Sequence, residues 1–227
     1  MTFDLSAHAL DRSRPMRDQI YPLVRNLILT GQIGPGETVD EKEIAAQLKV
    51  SRTPVREAVK RLSDESLVEV IAQSSTRAAR IDLREINEAY LIRRALELES
   101  AAQAAGRMQP RHAERLEDIL LVHSRMIERR SYAEAIAQDD AFHHYIALIS
   151  DLPRLWRAIE ISKAQLDRCR HIALPKAGQG EATLAQHRAI IRGLNSKDPE
   201  KARSAMGKHL TAAYAAAVEV VRSGLSG

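Results

Sequence analysis

Apolar residues recur at helical spacing along most of the chain. Ile20, Leu23, Val24, Leu27 and Ile28 mark a first helix from about residue 14. Pro22 lacks an amide hydrogen, so it must kink this helix or lie near its start. The glycine- and proline-rich stretch GQIGPGET closes it with a turn. Asp40 followed by Glu43 has the form of a capping box, which predicts a short helix over 41–48 with Ile44, Ala45 and Leu48 inward. The turn Lys49-Val50-Ser51 leads to a third helix, capped by Ser51, tolerating Pro54 in its first turn and carrying the stripe Val55, Ala58, Val59 and Leu62. The period then changes: 68–71 and 77–81 read as two short strands around the polar turn Gln73-Ser74-Ser75-Thr76. Two short helices about a tight turn, followed by a hairpin, predict a winged helix-turn-helix.

After Ile81 the strand signals stop. Asp82 with Glu85 opens a long helix to about residue 107, and further helices are predicted over 110–130, 132–150, 153–173, 181–195 and 199–222. Ser131 with Glu134 would cap the third of these six, and Asp198 with Pro199 the last. The expected fold is mainly α: a winged domain over 14–81, then an all-α six-helix bundle over 82–222, with a flexible N-terminus (1–13) and a short tail (223–227). The segment KAGQGE is the expected flexible loop, and the alanine-rich run 211–218 implies close helix packing.

A length of 227 residues suits two domains, each with its own core. The single cysteine, Cys169, allows no intrachain disulfide and no thiolate zinc knuckle, which favours a reducing, cytoplasmic setting. No apolar leader and no run long enough to span a bilayer is recognisable, so no membrane partner is expected. The formal charge of +4 is modest, but its distribution matters more. Between Lys49 and Arg61 five basic residues oppose the single acid Glu57, so this segment alone carries the excess of the whole chain.

A helix entering the major groove needs small capping groups where it meets phosphate and long basic side chains that reach base edges. Ser51, Arg52, Thr53 and Arg56 are such a set, with Arg52 and Arg56 four apart and opposite the apolar stripe. The bland alternative is a solvated helix face. The segment PGETVDEKEIAAQLKVSRTPVREAVKRLSDESLVEV resembles the N-terminal domain of the GntR family of transcriptional regulators. Residues 82–222 resemble the helical FCD sensor of its FadR-type branch, and six sensor helices resemble the shorter VanR-like subgroup. The resemblance implies a repressor bound to double-stranded operator DNA as a homodimer, with Lys42, Arg52, Thr53 and Arg56 on DNA. Ser66 and Ser75 stand where the family usually has glycine, which puts the wing turn in question. Arg77 reads equally as a phosphate contact and as a solvated strand residue.

In the second domain Asp139 and His143 are four apart on a face shared with Ile136 and Ile146. His187 lies among Leu184, Ile190, Ile191 and Leu194, and His209 among Ala202, Ala205, Met206 and Ala213. One carboxylate and three imidazoles directed inward suit a divalent ion such as zinc, nickel or manganese; the alternative is hydrogen-bonded core groups. His123, also on an apolar face, reads as a core histidine with one hydrogen bond, and Asp140 and His144 as edge or supporting groups. The resemblance assigns DDAFHHY, QHRAII and MGKHL to the metal-holding segments of FCD domains. It also makes Arg93, in the R-x-x-L-E segment, a candidate partner for an effector carboxylate; pairing with Glu97 one turn along is the alternative. A metal-dependent hydrolase or lyase built on the Asp/His cluster is the competing function, weakened by the lack of a recognisable general base and by the winged domain.

Overall fold

In the computed structural model, which describes residues 3–71, 75–176 and 178–224, the first apolar stripe folds as α1 (Met16–Leu29), with Ile20, Val24, Leu27 and Ile28 buried and Pro22 inside the helix. Asp40 caps α2 (Glu41–Gln47), its carboxylate accepting from the Lys42 and Glu43 amides. α2 stops in a left-handed turn. Lys49 takes φ 54°, and the Lys49 and Val50 amides close back on Ala46 and Ala45. α3 (Arg52–Asp64) follows with Val55, Ala58, Val59 and Leu62 buried against α1 and α2. Ser51 stands at the cap of α3 but makes no side-chain cap hydrogen bond.

The wing is the antiparallel pair β1 (Val68–Ile71) and β2 (Ser75–Ala78), in the register Val68 to Ala78 and Ile71 to Ser75. β2 thus begins at Ser75 and ends at Ala78, where the polar/apolar pattern placed it over 77–81. The Thr76 carbonyl accepts from Val39, drawing the strand's start back into the pairing. Gln73 and Ser74 of the expected turn lie outside the described residues. Ser66 repeats the device that ends α2: at φ 56°, with the Ser66 and Leu67 amides returning to Ser63 and Leu62, it closes α3 in the left-handed region where glycine costs least.

The N-terminal segment departs from the loose tail its lack of periodicity suggests. Phe3 and Leu5 are buried, the Leu5 amide donates to Gln47 Oε1 at 2.7 Å, and Gln47 Nε2 donates to the Phe3 carbonyl at 3.1 Å. Two apolar side chains on an extended segment anchor it without leaving a periodic signal.

Contacts divide the chain after Asp82 into two compact units. The second is helical: α4 (Leu83–Gly106), α5 (Pro110–Glu128), α6 (Tyr132–Ile149), α7 (Pro153–Ser162), α8 (Ala164–Ala173), α9 (Gln179–Asn195) and α10 (Pro199–Arg222). The single helix expected over 153–173 is two, broken at Lys163, so helix number does not place the chain in a six-helix subgroup. Ser162 Oγ turns back to the Ile159 carbonyl, and Lys163 directs its ammonium inward to acids on α6 and α8. A break driven by one buried charge is invisible to apolar periodicity. The Asp198 cap on α10 forms, whereas Ser131 makes no side-chain cap bond. Phe142, Ile146, Leu116, Ile190, Leu194 and Met206 centre the core. α10 packs on α4 and α9, and a Cβ at Gly193 would lie 3.0 Å from the Lys201 carbonyl, so the α9–α10 approach needs glycine there.

Candidate functional site

The winged unit offers an exposed cationic face. Lys42, Ser51, Arg52, Thr53, Arg56 and Arg77 are all exposed, with the Ser51–Thr53 amides at the N-terminus of α3. Burial of the Val55/Val59/Leu62 stripe forces Arg52 and Arg56 outward on the opposite face. Both converge on one acid of α2: Arg56 Nε is 3.2 Å and Arg52 Nη2 3.8 Å from Glu41 Oε2. Arg77 projects from β2, its Nε donating to Ser75 Oγ at 3.1 Å. At the base of this unit Glu65 is the buried acid, receiving the Tyr21 hydroxyl and Arg25 Nε, while Arg61 lies 3.7 Å over the Tyr21 ring. Burial and the Glu65 carboxylate raise the Tyr21 pKa above the phenol range.

The helical unit hides its polar groups. Asp139 and His143 on α6, His187 on α9 and His209 on α10 are all buried, and each offers a ligand atom within 4.8 Å of the others. His143 Nε2 and His209 Nε2 are 3.2 Å apart, and His187 Nε2 is 3.3 Å from Asp139 Oδ1. Groups outside the four orient them. His143 Nδ1 meets a Glu97 oxygen, Glu97 in turn takes Arg93 Nε, and His209 Nδ1 donates to Gln186 Oε1 at 2.9 Å. With Nδ1 engaged in this way, Nε2 of both rings is left to face the cluster.

Burial pushes His187 well down and His209 down to about 3, so both imidazoles are neutral and present lone pairs. Burial alone would raise Asp139, but the Arg170 guanidinium holds it well below the usual carboxylate range. Burial likewise opposes ionisation of Glu97, and Arg93 and His143 more than offset it. Among the described residues neither ring nitrogen of fully buried His187 has a hydrogen-bond partner, a cost that a bound ion would relieve. One carboxylate, three imidazoles and an orphaned buried nitrogen fit a divalent ion.

Behind Asp139 lies a network of charges. Arg170 Nη2 reaches Asp139 Oδ2 at 2.5 Å, and its Nη1 is 3.0 Å from both Asp140 and Asp167. Lys163 Nζ, almost wholly buried, is 2.8 Å from Asp140 and 2.6 Å from Asp167. A small cavity of about 60 Å³ opens beside the cluster, lined by Asp139, His209, Arg93, Arg170, His123 and Thr183 together with alanines of α10.

Two family models match the chain: "Bacterial regulatory proteins, gntR family" over residues 16–77 and "FCD domain" over residues 88–212. The HTH-type transcriptional repressor RspR of Escherichia coli K12 is 31% identical over 201 residues, which is 88% of each chain. The chain belongs to the GntR family, FCD branch. A probable D-xylose utilization operon transcriptional repressor of Paenarthrobacter nicotinovorans is 29% identical over 212 residues, covering 92% of this chain and 91% of that one. The solved structure of E. coli McbR/YncC shares the fold, with a TM-score of 0.79 at 22% identity over 90% of this chain and 97% of that one. The family and its named relatives are transcriptional regulators, not enzymes, which removes the hydrolase or lyase reading.

As a GntR-family chain, it brings together all four residues read as metal ligands and leaves all six residues read as DNA contacts exposed. Arg93 borders the pocket, yet its Nε is committed to Glu97, the alternative that their spacing offered. Asp140 supports the cluster through Arg170 and Lys163, while His144 stacks on Trp156 at 5.1 Å. His123 departs from a satisfied core histidine: among the described residues its buried Nδ1 has no protein partner, and the ring borders the pocket. Gln186, Lys163, Asp167 and Arg170 were missed, and Glu97 was read only as a partner of Arg93 and not of His143. Gln186 adjoins His187, and Lys163, Asp167 and Arg170 stand at i, i+4 and i+7; that one-face spacing of charges was the available signal.

Proposed function

We propose that this regulator is a repressor that binds a two-half-site operator as a homodimer and is controlled by a small organic or sugar acid taken up beside a divalent ion in the helical unit. The observation that carries the DNA reading is the exposed Ser51/Arg52/Thr53/Arg56 set at the N-terminus of α3, opposite a fully buried stripe. In this reading α3 enters the major groove, Arg52 and Arg56 reach base edges, and Ser51, Thr53 and Lys42 meet backbone phosphate. Arg77 takes a phosphate from the wing. Repression follows the character of the relatives RspR and the D-xylose operon regulator.

Asp139, His143, His187 and His209 would hold the ion, zinc, nickel or manganese, which supplies fixed positive charge for an anionic effector. Glu97 and Gln186 orient His143 and His209 for that task, and the pocket beside them combines alanines of α10 with the cations Arg93 and Arg170. The setting is cytoplasmic; among the described residues no helix is long and apolar enough to cross a membrane. The test is to select genomic fragments with the purified protein, then titrate the recovered operator at several salt concentrations with and without Zn²⁺. Binding that is sequence-specific and falls steeply with salt supports the reading; affinity equal for operator and scrambled DNA overturns it.

A further inference from the structure

We propose that Arg170 is an internal cation in competition with the metal: its guanidinium holds Asp139 when the ion is absent, and on metal loading it is turned off that carboxylate to become the anchor for an anion in the pocket. The inference rests on the metal reading above and extends it to a group that the ligand set does not include.

Three observations carry it. First, Arg170 Nη2 sits on Asp139 Oδ2 at 2.5 Å while Nη1 is held separately by Asp140 and Asp167, each at 3.0 Å. Nη2 can therefore leave Asp139 while the side chain stays tethered through Nη1. Second, Arg170 borders the pocket, so the released Nη2 has a space to face. Arg93 also borders the pocket, but its Nε pairs with Glu97 and not with one of the four metal-site residues, so it is not placed to compete with the ion.

Third, the carboxylates Glu97, Asp139, Asp140 and Asp167 and the cations Arg93, Lys163 and Arg170 are linked in one enclosed network. A divalent ion held by Asp139 would bring a second cation against Arg170, which raises the cost of leaving the guanidinium on that carboxylate. An anion taken into the pocket would be met by the released Nη2 and would offset the added positive charge. Metal and anion are then coupled through one side chain, each strengthening the other's binding.

The alternative makes Arg170 a fixed support that orients Asp139, and it predicts the opposite sign. Losing a supporting partner typically weakens metal binding by about 10–100-fold, whereas losing a competitor strengthens it. The experiment measures the affinity of the full-length protein for Zn²⁺ alone, against a chromophoric chelator, in wild type, Arg170→Gln and Arg170→Lys. The titration is then repeated with acetate, using acetamide as the neutral control. Expected are tighter Zn²⁺ binding in Arg170→Gln, a severalfold gain in wild-type Zn²⁺ affinity on adding acetate but not acetamide, and loss of that gain in Arg170→Gln. Arg170→Lys keeps a cation on Asp140 and Asp167, so it decides the sign if the glutamine variant does not fold; it too should bind Zn²⁺ more tightly than wild type. Weaker Zn²⁺ binding in the folded variants, or an acetate effect that survives the substitution, overturns the competition. A wild-type protein that takes up no Zn²⁺ overturns the metal reading beneath it.

Discussion

The two units of this chain use charge in opposite ways. In the winged unit the functional cations stand in water: Arg52 and Arg56 share one partly buried acid, Glu41, and a surface pair of this kind contributes only about 0.2–1 kcal/mol. In the helical unit Lys163, Arg170 and Arg93 are enclosed with Asp167, Asp139 and Glu97, where removing one partner of a pair costs about 3–5 kcal/mol. Exposed charge is free to exchange its partner for a phosphate or a base edge. Buried charge is committed, and it changes partner only when another charge enters. The first arrangement suits a reader of DNA and the second a sensor.

Substitutions should separate the two. Arg52→Ala is expected to leave the melting temperature unchanged and to cost about 1–3 kcal/mol of operator binding at each half-site, doubled in a dimer; anisotropy titration on a selected operator checks it. Lys163→Ala should do the reverse, destabilising the fold by about 3–5 kcal/mol in urea unfolding, because Asp167 and Asp140 lose a buried counter-ion. Arg61→Ala, an exposed cation over a ring, should cost under about 1 kcal/mol in the same assay. If the two cost the same, the comparison fails.

Much of this contrast could be read from the sequence, and for a physical reason. The stripe Val55/Val59/Leu62 fixes which way Arg52 and Arg56 point, so the exposed set followed from periodicity alone. Asp139, His143, His187 and His209 each interrupt an apolar face, but so does His123, and it was the resemblance of their segments to FCD domains that singled out the four. What periodicity could not convey was pairing across helices: Arg170 with Asp139, Glu97 with His143, and Lys163 with Asp140 join residues up to 46 positions apart. The break at Lys163 and the burial of Phe3 and Leu5 escaped for a similar reason, since each depends on a partner distant in the chain.

Metal linkage gives a middle-sized effect. At a free Zn²⁺ concentration about a hundredfold above its dissociation constant, the folded state gains about 2.7 kcal/mol, so chelation should lower the melting temperature by roughly 5–10 °C. His209→Ala should abolish that difference. In the metal-free protein His187 and His209 are held neutral by burial, with His209 at about 3, while in the unfolded chain they titrate near 6.5. The unfolded state therefore binds more protons below that value. Stability should be full above about pH 6.5 and fall as the pH drops from there towards about 3, as melting in a buffer series would show. A rise in stability on acidification would contradict the burial of these rings.

The smallest effect belongs to Glu41. Removing its charge frees Arg52 and Arg56 and takes an acid away from the phosphates, so Glu41→Gln should tighten DNA binding by about two- to fivefold, more for scrambled DNA than for operator. Weaker binding would instead make Glu41 a required orienting group for the two arginines.

The most direct test of the division of labour is a crossed pair, Arg56→Ala and His187→Ala, each assayed for operator affinity by anisotropy and for Zn²⁺ retained after dialysis. Arg56→Ala should lose operator binding and keep its metal, whereas His187→Ala should lose metal and keep metal-free operator binding. If His187→Ala abolishes DNA binding while remaining folded, or if Arg56→Ala binds operator as wild type does, then reading and sensing are not divided between the two units as described.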